Sequence, residues 1–258
     1  MLRFRSLGSG SSGNATLVEA GDGTRRSRLL VDCGLGIRQL ERRLQISGLA
    51  LDDIDALFIT HEHADHIGCA QALALRQRIP VWMSQGTHAA LGHPDFGEWL
   101  RVARDGEAVH IGALALQPFT VPHDAREPLQ LVCSDGTSRL GILTDLGHVT
   151  PHVAAQMRDC DALLLECNHD PELLEQGPYP PFLKRRVGGP WGHLANAAAA
   201  ALLAEVAHAG LRHVVAAHLS EQNNRPALAR AALAGALGCS DEDILVADGA
   251  SGCEWLSA

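Results

Sequence analysis

Long apolar runs, aromatic side chains and paired cysteines are all scarce in this chain of 258 residues, and each shortage narrows what it can be. No stretch of about 18 apolar residues occurs. The alanine-rich segment 194–209 is interrupted by Asn196, Glu205 and His208, so no membrane-spanning helix is expected. The first residues, Met1-Leu2-Arg3-Phe4-Arg5-Ser6-Leu7, alternate as a strand does and lack the apolar core of a secretory signal, which points to a cytoplasmic protein. A single tyrosine, Tyr179, and one suitably placed tryptophan, Trp191, give no array on which a run of bases would stack. Seven cysteines, odd in number and without a C-x-x-C pair, speak against a disulfide framework and a zinc ribbon. Cys33, Cys69, Cys133, Cys160, Cys239 and Cys253 read as small apolar fillers kept reduced, whereas Cys167 is set apart by its place in Glu166-Cys167-Asn168-His169-Asp170. Basic residues are outnumbered as well: the net charge of −9 argues against broad, nonspecific affinity for nucleic acid.

What is present is a soluble-enzyme composition, 46% hydrophobic, without linker, repeat or low-complexity tract, and the expectation is one domain over residues 1–258. Strand-like runs fall at 3–7, 15–19, 28–32, 56–60 and 81–84, followed by hairpins at 108–121, turning near Gly112, and 129–144, turning at Asp135-Gly136. Helical patterns cover 36–47, 65–78, 150–159, 194–209 and 226–237, the third opened by Thr150 as N-cap and Pro151 in the first helical position. Strands first, then strands mixed with helices, fit two sheets packed face to face with helices outside.

The chemistry is concentrated in Thr60-His61-Glu62-His63-Ala64-Asp65-His66, three imidazoles and a carboxylate in one loop directly after an apolar strand. Imidazole nitrogen and carboxylate oxygen together suit Zn²⁺, Mn²⁺ or Fe. A sheet delivers rigid side chains to a shared site where apolar strands end. His123 closes 114–122, Asp145 closes 140–144 and His218 closes 214–217. His110 and His148, beside turn glycines, read as solvated.

H-x-H-x-D-H resembles the signature of metallo-β-lactamase-fold hydrolases, and that resemblance implies a four-layer αββα sandwich holding two divalent ions, Zn²⁺ or Mn²⁺. It implies that His61, His63 and His123 hold one ion, that Asp65, His66 and His218 hold the other, and that Asp145 bridges them. More narrowly, Ser6-Leu7-Gly8-Ser9-Gly10-Ser11-Ser12-Gly13-Asn14, Glu166 to Asp170, Tyr179-Pro180-Pro181-Phe182-Leu183-Lys184-Arg185-Arg186, Gly192-His193-Leu194 and His218 to Asn224 are similar to the YycJ/WalJ branch. That branch implies a 5′-to-3′ DNA exonuclease connected with mismatch repair, with DNA as substrate and repair proteins as possible partners. The chain departs from the branch at Cys167, where serine is usual, and at Ala195, where Leu-Ser-Asn is usual. The lost hydroxyls fall beside the expected acid and bear on fine substrate contacts.

Two ions held close together would favour phosphodiester cleavage, with Asp65 as the residue that secures the second. Glu166 and His193 resemble a pair in tRNA 3′-processing nucleases, which implies His193 as general acid and Glu166 as the group that orients it and raises its pKa. His169 is a second candidate for that part or for substrate contact. The glycine-interleaved Ser11, Ser12 and Asn14 can offer hydroxyls and backbone N–H groups to phosphate, and Lys184, Arg185 and Arg186, with Asn223 downstream, complete the expected substrate contacts. Two other functions stay open: a hydrolase of small phosphodiesters, thioesters or lactams on the same fold, and a metal-binding module without catalysis, against which the intact ligand set argues.

Overall fold

The computed structural model describes residues 1–21, 23 and 25–258. Six strands build the first sheet in chain order: β1 (Leu2–Gly8), β2 (Ala15–Gly21), β3 (Arg26–Val31), β4 (Ala56–Phe58), β5 (Val81–Met83) and β6 (Leu100–Val102). Seven more build the second: β7 (Val109–Ile111), β8 (Leu114–Thr120), β9 (Leu129–Ser134), β10 (Arg139–Leu143), β11 (Ala162–Glu166), β12 (His213–Ala217) and β13 (Leu245–Val246). The chain then returns as β14 (Leu256–Ser257) to pair with β1, giving the orders β14-β1-β2-β3-β4-β5-β6 and β13-β12-β11-β10-β9-β8-β7.

Period-two alternation assigns each strand residue to a layer. Phe4, Val18, Leu29 and Phe58 of the first sheet meet Leu116, Leu131, Ile142 and Leu164 of the second in a central core. Their sequence neighbours face outward. Leu17, Leu30 and Leu57 pack under α1 (Ile37–Ile46), through Leu40 and Leu44, and under the later helix at Leu73. Leu163 and Leu165 pack against helices on the opposite side through Leu202, Leu203 and Leu233. The result is helix, sheet, sheet, helix: the expected four-layer αββα sandwich.

The expected helix over 65–78 is two helices, α2 (Ala64–Ile67) and α3 (Ala70–Gln77). Gly68 breaks it with φ +29°, and a Cβ there would stand 2.4 Å from the Cys33 carbonyl oxygen, so close approach of two loops decides the break. The remaining helices are α4 (Gln85–Ala90), α5 (Pro151–Met157), α6 (Pro171–Gln176), α7 (Pro181–Val187), α8 (Asn196–Val206) and α9 (Pro226–Leu237). Thr150 caps α5 as expected, its hydroxyl accepting from Val153 N at 3.2 Å.

Away from the loops, one buried charge is tied into the first sheet. Glu19 on β2 accepts from Arg3 Nε and Arg28 Nε, both at 2.7 Å, with Arg26 at 3.6 Å. Burial alone would raise its pKa, but the hydrogen bonds and charges of Arg3 and Arg28 outweigh it and hold it below the usual carboxylate range. A depressed folded pKa contributes stability that is complete above the unfolded value and is lost as pH falls through the folded one. Glu19→Gln should therefore cost about 1–2 kcal/mol at neutral pH by denaturant titration, and the difference from the native chain should close in acid. An equal deficit at both pH values would remove the carboxylate charge from the explanation.

Candidate metal centre

Strand direction collects the reactive side chains. β10, β11 and β12 are parallel, and two antiparallel steps through β9 align β8 with them. The C-terminal ends of β8, β10, β11 and β12 therefore open on one edge, and their exits carry His123, Asp145, Glu166 and His218. In the first sheet β3 and β4 are parallel and end side by side. Asp32, past β3, gives its N–H to the Phe58 carbonyl at 2.8 Å and accepts from Thr60 N at 2.9 Å and Thr60 Oγ1 at 3.0 Å. That clamp fixes the start of the histidine loop. Leu129 N donates to the Thr60 carbonyl at 2.9 Å and ties the loop to β9 of the second sheet.

Two groups of ligand-type atoms result. His61 Nε2 lies 3.0 Å from His63 Nδ1, which lies 3.3 Å from His123 Nε2. Asp65 Oδ2 lies 3.5 Å from both His66 Nε2 and His218 Nε2. Asp145 reaches both groups, with Oδ2 3.1 Å from His66 Nε2 and Oδ1 4.0 Å from His123 Nε2. Among the described residues Asp145 Oδ2, though close to His66 Nε2, is buried and accepts no hydrogen bond of good geometry. A tetrahedral ion with bonds of about 2.0–2.1 Å to nitrogen spaces its ligand atoms about 3.3 Å apart, which the first group matches.

The outer nitrogens of the same rings are already engaged. His66 Nδ1 meets Asp32 Oδ2 at 2.8 Å, His123 Nδ1 the Gly192 carbonyl at 2.9 Å, His218 Nδ1 Glu166 Oε1 at 3.1 Å and His61 Nδ1 Thr60 Oγ1 at 3.0 Å. A ring that gives its proton outward to a carboxylate or carbonyl turns a lone pair inward, the arrangement that suits a metal. The donor set and its spacing thus fit divalent ions.

Electrostatics of the bare side chains point the same way. Burial would keep the His66 ring neutral, but Asp145 and Asp32 outweigh it and push its pKa well up. His218 behaves alike and is raised to about 10, with Asp145 the main opponent of burial. Burial would raise Asp65, yet hydrogen bonds with His218 and His66 hold it far below the carboxylate range. His61, buried and facing His66, is pushed down. The carboxylates hold positive charge on His66 and His218, so a cation entering the cluster should displace protons.

Three residues of the cluster, Asp32, Asp145 and His218, have left-handed backbone, with φ +59°, +55° and +53°. Non-glycine residues adopt it at a cost that the surrounding hydrogen bonds must offset. His193 stands beside them, its Nδ1 2.8 Å from Glu166 Oε1 and 3.4 Å from Asp145 Oδ1. Burial lowers its pKa, but Glu166 more than compensates and the balance is upward. Glu166 is fully buried; burial raises its pKa, but the charge and hydrogen bond of His193 hold it down to about 2. Its second oxygen accepts from Leu146 N at 2.9 Å and Leu194 N at 3.1 Å, which makes it the joint between three loops.

The remaining expected contacts disperse. A cleft of about 350 Å³ over the cluster is lined by Ser11, Asp65, Tyr179, Arg186 and His193 among others. Arg186 Nε donates to Asp124 Oδ2 at 2.5 Å. Lys184 and Arg185 line a different cleft on the other side of α7, together with His169. Ser12 lines a third, beside Asp248 and Arg225. Asn14 and Asn223 are both buried. Asn14 Nδ2 donates to Asp65 Oδ2 at 3.2 Å and lies 3.0 Å from His66 Nε2. Asn223 Nδ2 donates to Ser220 Oγ at 3.1 Å. Both side chains are engaged in holding loops. Sequence reasoning missed Asp32 and Asp124; Asp32 ends an apolar strand as Asp145 does, and Asp124 directly follows His123.

Comparison with known proteins agrees with this geometry. The family model described as "Beta-lactamase superfamily domain" matches residues 27–219. The exodeoxyribonuclease YycJ of Bacillus anthracis is 34% identical over 234 residues, 89% of this chain and 86% of that protein. The exodeoxyribonuclease WalJ of Streptococcus pneumoniae strain D39 is 31% identical over 245 residues, 93% of this chain and 89% of that one. Among solved structures, the metallo-β-lactamase fold protein YhfI of Bacillus subtilis superposes with a TM-score of 0.77 at 15% identity, covering 100% of this chain and 99% of its own.

The outward hydrogen bonds can be tested one at a time. Asp32→Asn removes the charge that turns the His66 lone pair inward, and metal affinity measured by chelator competition should fall about 10- to 100-fold. Unchanged affinity would leave Asp32 as a loop fastener only.

Proposed function

Because the chain belongs to the metallo-β-lactamase superfamily, in its YycJ/WalJ-type branch, and is a metal-dependent hydrolase, we propose that it is a two-metal DNA exonuclease. It removes nucleotides from the 5′ end toward the 3′ end in the cytoplasm, in the service of mismatch repair and alongside repair proteins. In this proposal His61, His63 and His123 hold one ion, Asp65, His66 and His218 the second, and Asp145 is shared. When bound, such a pair of Zn²⁺ or Mn²⁺ ions activates water near neutral pH and offsets the charge that develops on phosphoryl oxygens.

The observation that carries the proposal is the Glu166–His193 contact at the edge of the cleft. Glu166 Oε1, 2.8 Å away, accepts a hydrogen bond from His193 Nδ1–H and fixes the ring. The opposite nitrogen, Nε2, is then the atom that hands a proton to the leaving oxygen as the phosphodiester opens. Asp145, 3.4 Å from the same Nδ1, adds negative charge that keeps the ring able to carry that proton. Arg186, held by Asp124, and Ser11 meet the phosphate at the cleft wall. Asn14 keeps Asp65 in place from behind.

A second reading, hydrolysis of small phosphodiesters, draws support from Lys184 and Arg185, which are turned away from the cleft that holds the cluster. End-labelled duplex DNA with 5′-phosphate or 5′-hydroxyl ends, given to protein reloaded with Mn²⁺ or Zn²⁺, separates the two. The exonuclease should shorten DNA from the 5′ end, and the Asp65→Ala, His66→Ala double variant should not. His193→Ala should keep its metal and lose about 10²- to 10⁴-fold in kcat. Intact DNA alongside rapid cleavage of bis-nitrophenyl phosphate would favour the small-substrate reading, and near-normal turnover in His193→Ala would remove it as the acid.

A further inference from the structure

α7 is a ridge between two clefts. None of its residues is buried, and it ends in Gly188, beyond which His193 N returns to donate to the Val187 carbonyl at 2.8 Å. With 3.6 residues per turn, Leu183, Arg186 and Val187 fall on the side of the metal cleft, while Lys184, Arg185 and Gly188 fall on the other. Phe182 lies between the two on the outward crest and is 66% exposed, beside Arg185 and Arg186.

The rear cleft, about 490 Å³, is a built feature and more than a charged surface. His169, 4% exposed, lines it, and its Nδ1 is buried without a hydrogen-bond partner among the described residues. Its Nε2 lies 3.9 Å from where a Cβ on Gly188 would stand, so that glycine leaves the ring edge open to the cleft. Arg185 is exposed on the same wall, and its guanidinium has no hydrogen bond or ion pair among the described residues. Lys184 donates to the Glu175 carbonyl, which holds its ammonium at the rim. The lining holds Lys184 and Arg185 against one acidic residue, Glu175, so in a chain of net charge −9 this concavity carries a local excess of positive charge beside the His169 ring.

We propose that this rear cleft binds a second phosphate of the same nucleic-acid strand whose end lies in the metal cleft, with the strand crossing α7 over Phe182. This rests on the exonuclease reading and deepens it. A helix is about 10–12 Å across with its side chains, so the two clefts take phosphates separated by more than one link of the strand. A rigid duplex cannot fold over such a ridge, whereas a single strand can follow it and lay a base on the Phe182 ring. The arrangement makes a melted or single-stranded end the preferred substrate.

The test uses metal-loaded protein and 3′-labelled phosphorothioate oligothymidylates, which resist hydrolysis, with binding read by fluorescence anisotropy. Octathymidylate should bind the native chain about tenfold or more tightly than dithymidylate. Arg185→Ala, at an exposed position, should lose most of that gain, and its slope of log affinity against log salt should flatten by about 0.7, the signature of one lost phosphate contact on a single strand. Arg185→Lys should restore part of both, and Phe182→Ala should lower octathymidylate affinity without moving the salt slope. If the native chain shows the length gain and Arg185→Ala keeps both gain and slope, the rear cleft is not a phosphate site while the exonuclease reading stands. If the native chain shows no length gain and cleaves only bis-nitrophenyl phosphate, the exonuclease reading fails, and the rear-cleft proposal with it.

Discussion

Burying carboxylates beside imidazoles is the constraint on which the site depends. Asp32, Asp145 and Glu166 are 3%, 1% and 0% exposed, and each lies within hydrogen-bonding distance of a histidine. An ionised group out of water is costly unless it is paired, so each carboxylate fixes the ring it faces, and each ring fixes the loop that carries it. The Asp32–Thr60–His66 contacts join the ends of β3 and β4 to α2, and Glu166 joins the loops at Leu146, Leu194 and His218. Removing one partner would weaken the compensation of a buried charge that the remaining partners share.

The same constraint explains the backbone. Left-handed φ at Asp32, Asp145 and His218 turns three chain segments sharply at strand ends. A side chain leaving a strand in extended form would follow the pleat into one of the two faces; the turn instead aims it along the edge between the sheets. Buried hydrogen bonds hold these turns, among them His218 N to Ser9 Oγ at 2.7 Å, which ties the serine-rich first loop into the site. That loop's part is thus divided: Ser9 and Asn14 brace, while Ser11 faces the cleft.

Periodicity and local signals made most of the architecture legible. The Thr150-Pro151 start placed α5, whereas only the structure divides Leu164 from Leu163 and Leu165 between two layers. What local pattern could not show was close approach between distant segments. The apolar period continues from α2 into α3, and only the nearby Cys33 carbonyl explains why Gly68 interrupts it. Short strands such as β6 and β13 carry too few residues for a period. Lys184, Arg185 and Arg186 read as one basic cluster in sequence, yet three consecutive helical positions point about 100° apart, so the helix divides them between two clefts.

The sequence by itself determined the chemistry of the centre: which side chains are imidazole or carboxylate, that four of them share one loop, and that His123, Asp145 and His218 close apolar strands. Ligand identity is a property of residue type and short spacing, both of which are local. The tertiary structure decided which nitrogen of each ring faces inward, that Asp32 stands behind His66, that Asn14 and Asn223 are buried braces, and that α7 separates two clefts. These depend on the parallel alignment of strands whose partners lie far apart in the chain, and no local pattern of residues records that alignment.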